Sequence, residues 1–125
     1  MDIRKLFLFV ETPPFTTRWK GLGLTDLHLS QLQWEILESP QSGVVISGTG
    51  GFRKIRFTVT QSRRGKSGAF RVIYLPIPRL QSVVLGVVFA KSESANINPT
   101  DKKDLVKMAG IYELILDDFF RRAKS

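Results

Sequence analysis

Two stretches on either side of a short loop constrain this chain more than any other feature. "FRKIRFTVT" (52–60) alternates strictly, placing Ile55, Phe57 and Val59 on one side and Lys54, Arg56, Thr58 and Thr60 on the other. A period of two is that of a strand with one face in a core. "AFRVIYL" (69–75) repeats the pattern, with Phe70, Val72 and Tyr74 on one face and Ala69, Arg71 and Ile73 on the other. The stretch between them, 61–68, is rich in glycine and short polar residues, as a turn is. The two runs are predicted to pair antiparallel around it, and in that hairpin Arg71 joins Lys54 and Arg56 on a common face.

The remaining punctuation is consistent with this hairpin. "KLFLFVE" (5–11) reads as a strand, and Thr12 then caps a short helix over 13–20 that "GLG" ends. Thr25 opens a second helix, in which Leu29, Leu32, Ile36 and Leu37 recur at helical spacing until Ser39-Pro40 stops it. "SVVLGVVFA" (82–90) is apolar throughout, as an interior strand is. Asn98, Pro99 and Asp101 open a last helix running toward 120, with Gly110 as the point where it can break. The fold class is therefore α+β: a small curved antiparallel β-sheet packed with N-terminal helices and a C-terminal helix. At 125 residues, 1–125 is expected to form a single domain. Trp19, Trp34 and "ILDDFF" are expected to cover the core.

Charge is segregated. All eleven acidic residues fall at or before Glu38 or at or after Glu93, while residues 39–92 hold Arg53, Lys54, Arg56, Arg63, Arg64, Lys66, Arg71, Arg79 and Lys91. The net charge of +8 is thus concentrated in one segment, which suggests an anionic partner, most often nucleic acid. Several chemistries drop out. No cysteine is present, and the single histidine, His28, lies on an amphipathic helix far from the basic segment. Gly65-Lys66-Ser67 imitates the end of a phosphate loop, but Thr60 stands where its first glycine belongs, and Arg53 occupies the last glycine position of a dinucleotide fingerprint beginning at Gly48. No apolar run nears the length of a membrane span and no signal peptide is evident, so a cytoplasmic location is expected. No metal or other cofactor is expected at a site that lacks acids.

Cations alone can still do chemistry on RNA. The 2′-OH beside each phosphodiester is a built-in nucleophile, so cleavage needs a base, stabilisation of the charged transition state, and an acid for the leaving oxygen. A lysine crowded by positive charge gives up its proton more easily, which makes Lys54 a candidate base, with Arg56 and Arg71 as forked phosphate clamps. Composition leaves two other readings open: an RNA- or DNA-binding module without catalysis, and a regulatory protein that binds an acidic partner.

"GTGGFRKIRF" (48–57), "GKSGAFRVIY" (65–74), "FAKSE" (89–93) and "NPTDKKDLVKM" (98–108), in that order, resemble the RelE-like toxins of toxin–antitoxin systems, in particular their HigB-type branch. The resemblance implies helices against an antiparallel sheet and a metal-independent endoribonuclease that cuts mRNA in the ribosomal decoding site, leaving a 2′,3′-cyclic phosphate. It implies the ribosome, mRNA and a cognate antitoxin, often of helix-turn-helix type, as partners. Carried over by position, the catalytic residues are Lys54, Arg56 and Arg71. Lys66 and Lys91 fall at phosphate contacts, while Arg53, Arg63 and Arg64 extend the grip on RNA. Phe89 stands where relatives often carry tyrosine and keeps the ring for stacking on a base.

Overall fold

The computed structural model describes residues 7–60, 68–91, 93 and 99–124. Strand β1 (Leu8–Glu11) leads into helix α1 (Pro13–Gly21) through Thr12, whose Oγ1 accepts from the Phe15 amide at 3.2 Å. Helix α2 (Asp26–Glu38) begins with a reciprocal cap: Thr25 Oγ1 accepts from the His28 amide, and His28 Nδ1 accepts from the Thr25 amide at 3.0 Å. The histidine ring thus satisfies a helix end. Strands β2 (Val44–Val45), β3 (Arg53–Val59), β4 (Gly68–Ile77) and β5 (Ser82–Ala90) follow, then helix α3 (Pro99–Ala123).

The spatial order is β1-β5-β4-β3-β2. Strands β2 to β5 pair antiparallel, as the alternating patterns require, and the α+β class holds. One pairing differs: β1 lies parallel to β5, so the sheet is mixed. The chain leaves β1 through two helices and re-enters at the far edge, and the place beside β1 is filled last, by a strand running the same way. Helix α3 continues through Gly110, where an added β-carbon would meet nothing within 4 Å. A glycine there weakens a helix without breaking it. The expected cap at Asn98 and the loop 61–67 lie outside the described residues.

Each face of the sheet carries its own core. On one, α1 and α2 bury Phe15, Trp19, Leu32 and Ile36 against Phe57, Val72, Tyr74 and Leu85. Phe15 stacks on Trp19 and Trp19 on Phe57, with centroids 5.4 and 5.9 Å apart. On the other, α3 buries Leu105, Ala109 and Leu116 against Phe52, Ile73, Leu75, Ile77 and Val84. Each such side chain removed from water stabilises by about 1.5–3 kcal/mol. Core burial, expected for Trp19, Trp34 and "ILDDFF" (115–120), holds for Trp19 and Leu116; Trp34 is 51% exposed, and Ile115 and Phe119 also point outward. Ile115 is one residue, or about 100° of helix, from the buried Leu116.

Strand β5 offers no alternation to read, and its phase comes from a bulge. Ile73 pairs with Val87 but Tyr74 with Leu85, leaving Gly86 as the extra residue. Before it, Val84 faces α3 and Leu85 faces the other helices; after it, Val87 and Phe89 face the α3 side while Val88 and Ala90 face away. The Gly86 carbonyl accepts from Thr12 Oγ1 at 2.7 Å, so the residue that caps α1 also holds the bulge. A β-carbon at Gly86 would lie 2.8 Å from the Phe52 ring and 3.2 Å from the Ile73 carbonyl oxygen.

Candidate functional site

Helix α3 covers only one end of its face of the sheet. Rows of side chains cross the strands on this face: Lys54, Ile73 and Val87, of which Ile73 is buried under α3; then Arg56, Arg71 and Phe89; then Thr58 and Ala69. Lys91 extends the last row, since its amide donates to the Ala69 carbonyl at 2.9 Å and alternation puts its side chain on the face of Phe89. Lys54, Arg56 and Lys91 are exposed, whereas Arg71 and Phe89 are half-buried. The structure therefore brings together the three cations proposed as catalytic, the aromatic ring and one flanking lysine.

Arg56 and Arg71 are direct register partners. Side chains in that relation start about 5 Å apart at their β-carbons, and like charges so placed destabilise a sheet. No carboxylate among the described residues pairs with either of them. Among the described residues the ion pairs are Arg18 with Glu93, Arg79 with Glu113 and Asp117, and Asp118 with Arg121 and Arg122. Glu93, Glu113, Asp117 and Asp118 are thus engaged elsewhere, and Arg79 is neutralised on α3. Glu93, closest to the site in sequence, accepts from the Ala90 amide at 2.8 Å and pairs with Arg18. That amide and then the guanidinium hold its carboxyl below the usual range. Two forked cations facing each other with no counter-ion among the described residues form a ready clamp for an oxyanion.

Arg53 does not join this row. It is the register partner of Tyr74, on the opposite face, and its Nη1 donates to the carbonyls of Gln41 and Gly43, both at 2.8 Å. The alternation that unites residues 54 and 56 separates 53 from them. Arg53, where an RNA contact is expected, thus stands apart from the row, and its Nη1 serves the turn after α2. Tyr74 holds the same turn, its hydroxyl donating to the Pro40 carbonyl at 2.8 Å and accepting from the Gly43 amide at 3.1 Å. Burial pushes that hydroxyl's pKa above its ordinary value. Arg63, Arg64 and Lys66 lie outside the described residues.

Sequence reading left out Tyr112. It is half-buried on α3 and packs against the same cluster as Val87 and Phe89, so a hydroxyl-bearing ring borders this face from the helix side. A signal existed: Leu105, Ala109, Tyr112 and Leu116 fall on one helical stripe, so Tyr112 shares the sheet-facing side. Among the described residues, no three of His, Cys, Asp and Glu gather to hold a metal ion, and no helix is long and apolar enough to cross a membrane.

No family model matches the chain. A solved structure of the Escherichia coli toxin RelE, an arginine-to-alanine double mutant in the free state, superposes with a TM-score of 0.54. It is 22% identical, and the match covers 82% of this chain and 97% of that one. The likeness is one of fold: the chain has the α+β architecture of that toxin.

Proposed function

We propose that this chain, acting as one domain, is a toxin of a toxin–antitoxin system that cuts translated mRNA on the ribosome, and that it belongs to the HigB-type branch of the RelE-like toxins. The observation that carries the reading is the Arg56–Arg71 pair, flanked by Lys54, Phe89 and Lys91 and unpaired with any described carboxylate. A sheet tolerates such a pair when something outside the chain supplies the negative charge, and a phosphodiester does so in the geometry guanidinium forks prefer.

In this mechanism Arg56 and Arg71 hold the non-bridging oxygens of one phosphodiester. Lys54 removes the proton from the neighbouring 2′-OH, and the freed oxygen attacks phosphorus. The O2′–P bond forms, the P–O5′ bond breaks, and the products are a 2′,3′-cyclic phosphate and a 5′-hydroxyl. The arginines stabilise the additional negative charge of the transition state, a contribution of about 3 kcal/mol or more per donor in comparable sites. Lys91 supplies the proton to the leaving 5′ oxygen. Phe89 stacks on an adjoining base and fixes the strand in register. Lys66, Arg63 and Arg64 add contacts to the RNA backbone, and a cognate antitoxin silences the toxin. Its workplace is the cytoplasm, where ribosomes are.

Brief expression without the antitoxin is expected to stop growth and produce new 5′ ends in translated messages at fixed positions within codons. Lys54→Ala and Arg71→Ala should each relieve toxicity while circular dichroism shows an intact fold. A doubly substituted chain that stayed fully toxic would refute the assignment. Phe89 lacks a hydroxyl, which favours binding without cleavage as a second reading. Salt-dependent RNA binding with no new 5′ ends identifies that outcome.

A further inference from the structure

Helix α3 turns a second stripe away from the sheet. Leu105, Ala109 and Leu116 mark its buried side, and at about 100° per residue Lys107, Ile111, Leu114 and Asp118 centre about 180° from them. The outer face of such a helix is ordinarily polar. Here Ile111 is 55%, Leu114 72% and Ile115 55% exposed, side by side in the middle of the helix. Charges of alternating sign bracket them: Asp104 and Lys107 on the N-terminal side, Asp118 and Arg122 on the C-terminal side. Asp118 pairs with Arg121 and Arg122 of its own helix at 3.0 and 2.9 Å, whereas Asp104 and Lys107 have no ion-pair partner among the described residues. Along the chain the stripe reads negative, positive, apolar, negative, positive. Reversed, it reads positive, negative, apolar, positive, negative, so it is complementary to its own antiparallel copy.

We propose that this stripe is the contact of a two-fold dimer, in which α3 packs antiparallel against the α3 of a second copy. With the axis passing between Tyr112 and Glu113, Lys107 of one copy faces Asp118 of the other and Asp104 faces Arg122. Between them Ile111, Leu114 and Ile115 of both copies interdigitate, and symmetry makes every contact twice. Charge selects this occupant. A parallel second copy would set each charge against its own like. An acidic partner helix would meet Asp104 and Asp118, a basic one Lys107 and Arg122, and a nucleic acid the two carboxylates. The contact from 104 to 122 is about 27 Å long and about 10–12 Å wide, a footprint of about 300 Å² on each copy. That is well below the roughly 800 Å² per partner of a standard interface, so the dimer forms and parts readily, with a Kd on the order of 100 µM. Because the stripe points away from the sheet, the dimer leaves both cationic faces open and can present two of them at once. The self-contact goes beyond the ribonuclease reading and does not depend on it.

The test is sedimentation equilibrium of the full chain from about 5 µM to about 1 mM, with NMR over the same range. The weight-average mass should climb from one chain toward two, and the amides of Ile111, Leu114 and Ile115 should shift with the same midpoint. Leu114→Glu, at an exposed position where circular dichroism should show an intact fold, is expected to keep the chain monomeric. Lys107→Asp sets a carboxylate against Asp118 in both halves of the contact and should raise Kd about fivefold or more. Adding Asp118→Lys to that variant restores the attraction and should bring Kd back, a rescue that only the antiparallel arrangement gives. A chain that stays monomeric at the highest concentration overturns the proposal, and so does undiminished association of Leu114→Glu or a paired swap that rescues nothing. If the same amides respond to an acidic amphipathic peptide and not to protein concentration, the stripe serves another protein and the self-contact is overturned. Dimerisation by a chain that cuts no RNA would refute the ribonuclease reading alone.

Discussion

The bulge at Gly86 yields the sharpest quantitative expectation. In Gly86→Ala, the new β-carbon would stand 2.8 Å from Phe52 Cε1 and 3.2 Å from the Ile73 carbonyl oxygen. Real β-carbons do not approach that closely, so something must move. Phe52 is fully buried beneath α3, and the Ile73 carbonyl belongs to the central strand β4. Neither has open space to enter, and overpacking of this kind costs about 1–3 kcal/mol. For a chain of this length each kcal/mol lowers Tm by about 4 °C, so a fall of about 4–12 °C is expected in a circular-dichroism melt. Gly110→Ala is the internal control: the same added methyl, placed mid-helix where nothing lies within 4 Å, should stabilise by about 0.5–1 kcal/mol. If the Gly86 variant melts with the wild type while the Gly110 variant rises, Phe52 has room to yield and the close approach does not hold the bulge.

Thr12→Val removes the hydroxyl that both donates to the Gly86 carbonyl and accepts from the Phe15 amide; chemical denaturation should show a loss of about 1–3 kcal/mol. Tyr74 gives a pH signature. Burial raises its folded-state pKa above the unfolded value near 10.0, so its contribution is complete below that value and is lost as pH rises through the folded value. Urea midpoints should therefore decline above about pH 10, and Tyr74→Phe should shrink that decline while costing about 1–3 kcal/mol at neutral pH. Arg71→Met should remove RNA binding and, by relieving the like-charge pair with Arg56, leave stability unchanged or raised by about 0.2–1 kcal/mol, which thermal melts at low salt would detect.

Local pattern determined a good deal of this protein. The strict alternation of 52–60 and 69–75 sufficed to put Lys54, Arg56 and Arg71 on one face, because a side-chain period of two is a property of the extended backbone itself. Thr12, Thr25 and the prolines fixed helix starts for an equally local reason, since a cap answers amides within its own first turn. The same parity sets Arg53 apart: one residue from Lys54 means the opposite face. What only tertiary structure decided were relations between distant segments. Strand β5 is apolar at every position, so its phase could be set only by the Gly86 bulge, held by Thr12 from 74 residues away. That contact, absent from any local pattern, brings Phe89 round to Arg71. The parallel place of β1 and the exposure of Trp34 depend likewise on which elements remain to cover them once the sheet is assembled, a question of packing that periodicity along one strand or helix does not encode.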